Sequence, residues 1–218
     1  MAEYCSAVHS WVDFENLDVA ETLHRLNAHP KFVGVRPMIQ DIEDPDWMLK
    51  DALAPAFEAI ISEGLVFDAL TMPHHLKNLH RLLVKYSEMK CVIDHASKPH
   101  IKDRAIDEWA FDMKAIARDT NAYCKFSGMV TEAGPNWSVD DLRPYAQQLL
   151  NTFGPSRLIW GSDWPVCNLA LNYQKWVDTS DALLAELSQS ERTNIYGQNA
   201  IQVYGFLANE NDVGTAAK

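Results

Sequence analysis

The chain has 218 residues, 47% of them hydrophobic, and its 19 basic against 30 acidic side chains give a formal charge of −11. That length and apolar fraction support one sizeable core, while the acid excess, without any Lys/Arg cluster, argues against nucleic acid or an anionic membrane as partner. Residues 1–10 lack the basic and apolar regions of a secretory signal, and no apolar run approaches the ~20 residues of a bilayer span, so a soluble, cytoplasmic protein is expected.

In chain order, short apolar runs predict strands at 8–14, 32–37, 65–70, 90–95, 123–128 and 157–162. Between and after them, helical-period segments run over 19–27, 47–63, 76–88, 106–119, 139–153, 172–187 and 189–204. This alternation is the sequence form of repeated βα units around a parallel sheet, in one domain over residues 1–207 with a polar tail at 208–218. Asp18, Asp103 and Ser138 are expected to cap helix N-termini, and Gly64 and Gly154 to end helices in left-handed backbone. Leu76, Leu79, His80, Leu83 and Tyr86 recur near the helical period and give one face to the sheet, with His80 in the core or at its flank. Cys5, Cys91, Cys124 and Cys167 lie far apart, so reduced, mostly buried thiols are expected rather than a metal pattern or a disulfide framework.

No G-x-G-x-x-G or P-loop follows a strand, which weighs against a nucleotide fold. A β/α barrel instead collects its chemistry at the C-terminal ends of many strands. There, Leu-Ile-Trp-Gly-Ser-Asp-Trp-Pro puts Asp163 directly after the sixth run, as a carboxylate for the barrel mouth or as the N-cap of the next segment. His95 ends the fourth run beside Asp94 and Lys98, where an imidazole can bind a ligand, orient a water or carry a proton. Arg36 ends the second run, with Gln40 just beyond; its guanidinium suits a carboxylate or carbonyl oxygen, the alternative being an ion pair with Asp41 or Glu43. The remaining ends supply Asp13, Asp68 with His74 and His75, and Lys125 with Glu132. Trp11, Trp160 and Trp164 lie alongside, either walling a sugar-sized ligand or packing within the barrel.

Five segments in order, Gly-Val-Arg-Pro-Met-Ile-Gln-Asp, Gly-Leu-Val-Phe-Asp-Ala-Leu, Val-Ile-Asp-His-Ala-Ser-Lys-Pro, Cys-Lys-Phe-Ser-Gly-Met-Val-Thr-Glu-Ala and Arg-Leu-Ile-Trp-Gly-Ser-Asp-Trp-Pro-Val, together resemble the amidohydrolase-related barrel family. More narrowly they resemble its sugar-lactonase branch, the L-fuconolactonase and L-rhamnonolactonase types, which is related to pyrone-dicarboxylate lactonases and to a decarboxylase group. The resemblance implies a (β/α)₈ barrel. Family members begin with a strand ending in His-x-His, which this sequence lacks, and by motif the run at 8–14 resembles the third barrel strand and that at 157–162 the eighth. The expectation is therefore an incomplete barrel of about six βα units, against ~250 residues for a complete one.

By the same resemblance the chain hydrolyses a sugar lactone. Asp163 acts as general base and then proton donor, His95 orients the water or stabilises the oxyanion, and Arg36 and Lys125 polarise the carbonyl. Gln40, Asp68, Glu132 and Trp164 are implied contacts for substrate hydroxyls. No cofactor is required on this reading. A divalent ion such as zinc would take His95 and Asp163 as two of its ligands, where a catalytic zinc needs three from the protein. The alternatives are a metal-dependent amidohydrolase or decarboxylase of the same superfamily, and a non-catalytic remnant. An unclosed barrel has two free edges, so homo-oligomers through them are expected.

Overall fold

Alternate residues of each strand sort into two apolar groups, one facing the helices and one facing the inside of a curved sheet. The computed structural model describes residues 7–205, so Cys5 and the tail expected at 208–218 lie outside the described residues. Six strands, β1 Val8–Ser10, β2 Phe32–Val35, β3 Val66–Ala69, β4 Lys90–Ile93, β5 Tyr123–Phe126 and β6 Leu158–Trp160, form one sheet in sequence order. Every neighbouring pair is parallel. Helices α1 Val19–Asn27, α2 Ala54–Ser62, α3 Leu76–Lys85, α4 Asp107–Asp119, α5 Met129–Glu132, α6 Val139–Phe153 and α7 Tyr173–Leu183 fill the crossovers and follow β6. This is the expected α/β succession of barrel units, with no pairing between β1 and β6 among the described residues.

Phe67, Ala69, Cys91, Ile93, Cys124, Phe126 and Leu158 belong to the large core beneath the helices. Val66, Val92 and Ile159, on the opposite face, form a small layer inside the curve, closed by Val203 with Tyr123, Ala200 and Tyr204 packed around it. One step further along the strands the inward side chains become Asp68, Asp94 and Lys125. Apolar below and charged above is the layering that a barrel interior imposes through the two-residue strand period.

α1 and α6 match the expected helices end to end. Ser138 caps α6 through a reciprocal pair with Asp141, while Asp18 occupies its cap position without a side-chain hydrogen bond. Asp103 is not a cap: α4 starts at Asp107 behind Ile106, and Asp103 sits in a preceding turn closed by its N–H to His100 O. The segment 47–63 breaks into two 3₁₀ turns, Trp47–Leu49 and Asp51–Leu53, before α2, because Pro55 fits only the first turn of an α-helix. Residues 189–204 run as α8 Gln189–Thr193, a π-helical turn Asn194–Gln198 and α9 Asn199–Tyr204.

That last segment covers the β6 edge. Asn199 Nδ2 donates to Leu158 O at 2.7 Å and to Pro155 O at 2.8 Å, satisfying backbone acceptors at the edge strand. Cys91, Cys124 and Cys167 are free and buried, as expected. No helix among the described residues is long and apolar enough to cross a membrane.

Candidate active site

Strand β4 stops at Ile93 because the four residues after Asp94 turn left-handed: His95, Ala96, Ser97 and Lys98 all have φ between 49° and 55°. Non-glycine residues in that region cost ~1–2 kcal/mol each, so the turn must be held by its surroundings. Thr71 and Ser97 hydroxyls meet at 2.8 Å, Trp109 Nε1 donates to Ala96 O at 2.8 Å, and Lys98 N–H closes the turn on His95 O at 2.8 Å. The result turns the His95 ring across the strand ends. Its Nδ1 lies 2.8 Å from Ser127 Oγ and its Nε2 3.5 Å from Asp163 Oδ1. Asp163 is itself left-handed, with φ 54°, on the loop after β6.

Two glycines clear the space. A Cβ on Gly128 would lie 2.7 Å from His95 Cβ and Cγ, and one on Gly161 would lie 3.2 Å from Ser127 Cβ. Gly128 also has φ 69°, so the position excludes a side chain twice over.

Deeper in the bore a second cluster assembles. Lys125 Nζ lies 2.9 Å from Asp68 Oδ2 and 2.6 Å from Asp94 Oδ1, and Arg36 Nη1 lies 3.4 Å from Asp94 Oδ2. His9 Nδ1 reaches Asp68 Oδ2 at 2.8 Å, and the Tyr204 hydroxyl donates to Asp68 Oδ1 at 2.9 Å. The His9 and Tyr204 rings meet edge to face at 4.7 Å. His9, Ser10, Trp11, Arg36, Met38, Asp68 and Lys125 line a cavity of about 310 Å³.

Burial alone would raise the Asp68 carboxyl, but the Lys125 charge and the His9 hydrogen bond outweigh it and hold the group down at about 2. Burial likewise works against charge on Lys125, yet Asp68 and Asp94 push that ammonium well above its ordinary value. His95 is lowered by burial, against the pull of Asp94 and Asp163. Glu132, half-buried on α5, is raised by burial with Lys98 and His100 opposing and Asp163 adding to the rise.

The chain matches the amidohydrolase family over residues 6–206. It belongs to that family. This amidohydrolase is 38% identical over 205 residues to an L-fucono-1,5-lactonase of Burkholderia ambifaria, covering 92% of this chain and 71% of the relative. A second L-fucono-1,5-lactonase, from Burkholderia multivorans, is 31% identical over 219 residues, with 91% and 71% covered. Among solved structures, an amidohydrolase from Burkholderia multivorans with bound zinc superposes with a TM-score of 0.86 at 29% identity, over 93% of this chain and 74% of that one.

The sequence-predicted residues divide into groups in this amidohydrolase. His95 and Asp163 converge, with Glu132 in their electrostatic neighbourhood; Arg36, Asp68 and Lys125 share the cavity wall. Gln40 sits in the 3₁₀ turn after β2, its N–H on Leu70 O and its Oε1 buried without a hydrogen-bond partner. Trp164 and Trp11 are exposed, Trp11 on the cavity wall, whereas Trp160 packs against Tyr173 and Tyr196. Asp13 serves a turn, accepting from Glu15 N–H.

Sequence reasoning missed His9, Ser127 and Tyr204. Ser127 was accessible to it, since it lies two residues beyond Lys125 and so on the same face of the chain leaving β5. Tyr204 carried no such signal, arriving from 136 residues away.

The donor set does not fit a catalytic zinc. His95 and Asp163 supply two donors where such an ion takes three protein ligands, and among the described residues no group of three His, Cys, Asp or Glu side chains converges to hold one.

Proposed function

We propose that the chain is a hydrolase of carboxylic esters that opens sugar lactones by attack of water. Its similarity to two L-fucono-1,5-lactonases over about nine-tenths of its length supports the substrate class. The observation that carries the mechanism is the facing pair at the strand ends, His95 Nε2 and Asp163 Oδ1 at 3.5 Å, close enough for both to touch one water. Asp163 takes a proton from that water as its oxygen bonds to the lactone carbonyl carbon. Arg36, on the cavity wall, polarises the carbonyl oxygen. As the ring C–O bond breaks, Asp163 returns the proton to the leaving alkoxide and a hydroxy acid departs. His95 orients the water. Gln40, Glu132 and Trp164 contact ring hydroxyls.

Charge balance favours a neutral substrate over a dicarboxylate. Arg36 and Lys125, the two cations on the cavity wall, already face Asp94 and Asp68. A substrate carboxylate entering there would compete with buried carboxylates for the same cations. No step requires a cofactor, and the small-molecule reaction suits a cytoplasmic enzyme without nucleic-acid or membrane partners. The β1 edge, which among the described residues pairs with β2 alone in the sheet, supports self-association, expected as a dimer in light scattering.

The test is proton release from L-fucono-1,5-lactone, an L-rhamnonolactone, a pyrone dicarboxylate and a phosphoester. Turnover of the neutral lactones alone is expected. Absence of any aldonolactone turnover by the folded protein, or preference for the dicarboxylate, overturns the reading.

A further inference from the structure

Ser127 is almost completely buried, at 1% exposure, directly beyond β5. Its hydroxyl lies 2.8 Å from His95 Nδ1, on the side of the ring opposite the nitrogen that faces Asp163. Glycines flank this pair: Gly128 lies where any Cβ would strike the His95 ring and Gly161 where one would crowd Ser127. A buried hydroxyl, a ring held in left-handed backbone and two side-chain-free positions around them fix one arrangement of the imidazole.

That arrangement has a direction. A neutral imidazole carries one N–H, and its other nitrogen accepts. A carboxylate oxygen at Asp163 only accepts, so the ring is best placed with its N–H on Nε2, towards Asp163. Nδ1 is then the acceptor, and the Ser127 hydroxyl is the donor that fills it. The charged groups acting on His95 are Asp94, Asp163, Lys125 and Lys98, and burial holds the ring towards its neutral form. The reverse tautomer would turn two acceptors, Nε2 and the carboxylate, towards each other.

We propose that Ser127 is a positioning residue, its hydroxyl donating to Nδ1 of His95 and thereby locking the tautomer whose Nε2–H points at Asp163. This rests on the reading of His95 and Asp163 as the reacting pair. An Nε2–H so aimed donates to the attacking water, leaving that water's own protons for Asp163, which orders the water for proton loss in one direction only.

The tautomer is read directly, without substrate, by two-bond ¹H–¹⁵N correlation NMR on the full chain at neutral pH, with the His95 signals assigned by their loss in His95→Gln. The wild-type ring is expected to be Nε2–H. Ser127→Ala is expected to give a mixture of tautomers, and a roughly 2- to 12-fold lower kcat on the lactone with KM little changed, the range of one net hydrogen bond. Ser127→Thr keeps the hydroxyl and should restore both. A wild-type ring protonated at Nδ1 overturns the proposal whatever the variants do, as does a Ser127→Ala ring that remains wholly Nε2–H. If no lactone is turned over, the proposed activity fails while the spectra still decide the tautomer.

Discussion

Deep in the bore, Asp68 has Lys125, His9 and Tyr204 around it, and Lys125 in turn is shared with Asp94. At the strand ends, His95 and Asp163 stand 3.5 Å apart, both on left-handed backbone. Both clusters combine basic and acidic side chains inside the curve of the same sheet, one within the strands and one just beyond their ends. The first is saturated with close ion pairs, which suits a scaffold. The second uses backbone strain to hold two groups near each other without closing the gap, which suits a site that must admit a third atom. The reacting pair and the strongest ion pairs in this fold are therefore different residues.

The sharpest way to break that comparison is Asp163→Asn, which removes the carboxylate from the strained side. Lactone hydrolysis is expected to fall by ~10²–10⁴-fold, the usual worth of a general acid–base group, with the denaturant midpoint almost unchanged. Near-normal turnover would show that the reacting carboxylate lies elsewhere. Lys125→Met probes the saturated side. It leaves Asp68 and Asp94 buried without their shared cation, and a loss of about 3–5 kcal/mol in urea unfolding is expected, the range for removing one partner of a buried pair. A loss below about 1 kcal/mol, the range of a surface pair, would mean that water rather than Lys125 satisfies those carboxylates.

Gly128→Ala probes the strained side through its backbone, because its Cβ must displace the His95 ring while the backbone stays left-handed. Stability should drop by ~1–3 kcal/mol and lactone turnover should fall further than stability alone explains, as measured at a temperature where the variant is fully folded. Equal activity per folded molecule would show that the His95 position is not critical.

A control away from both clusters comes from His75, buried at the start of α3, whose Nδ1 accepts from Met72 N–H at 3.0 Å. Burial, with the neighbouring His74 charge, lowers it to about 4 from an ordinary 6.5. The unfolded chain therefore takes up this proton before the folded one does, and stability declines as the pH falls from about 6.5 towards 4. His75→Asn, which keeps an acceptor but does not titrate, should flatten that part of the stability profile and leave lactone turnover at neutral pH unchanged. A slope identical to wild type would assign the acid sensitivity to other groups.

Much of the fold was legible along the chain. Six apolar runs separated by helical periods are enough to specify consecutive βα units, since each run is long enough for a strand and each gap long enough for a crossover helix. The polar residue at the end of each run came from the same pattern, which is how His95, Asp163 and Arg36 stood out. Helix starts were less legible where a cap had to be told from a turn: Asp103 has the chemistry of an N-cap but precedes a turn, with Ile106 taking the cap position. Proline was informative at Pro55 only once the helix was known to begin there.

The sequence by itself determined the order of units, the apolar and polar alternation within each strand, and the set of chemical groups delivered to the strand ends, because these depend on local period and chain direction. Which groups meet was decided only by the tertiary structure. The curvature of the sheet brings Lys125 onto both Asp68 and Asp94, the return of α9 under the bore delivers Tyr204, and the left-handed turn at 95–98 swings His95 between Ser127 and Asp163. Such pairings rest on contacts between distant segments and on backbone strain that only the surrounding packing sustains, and no local period encodes them.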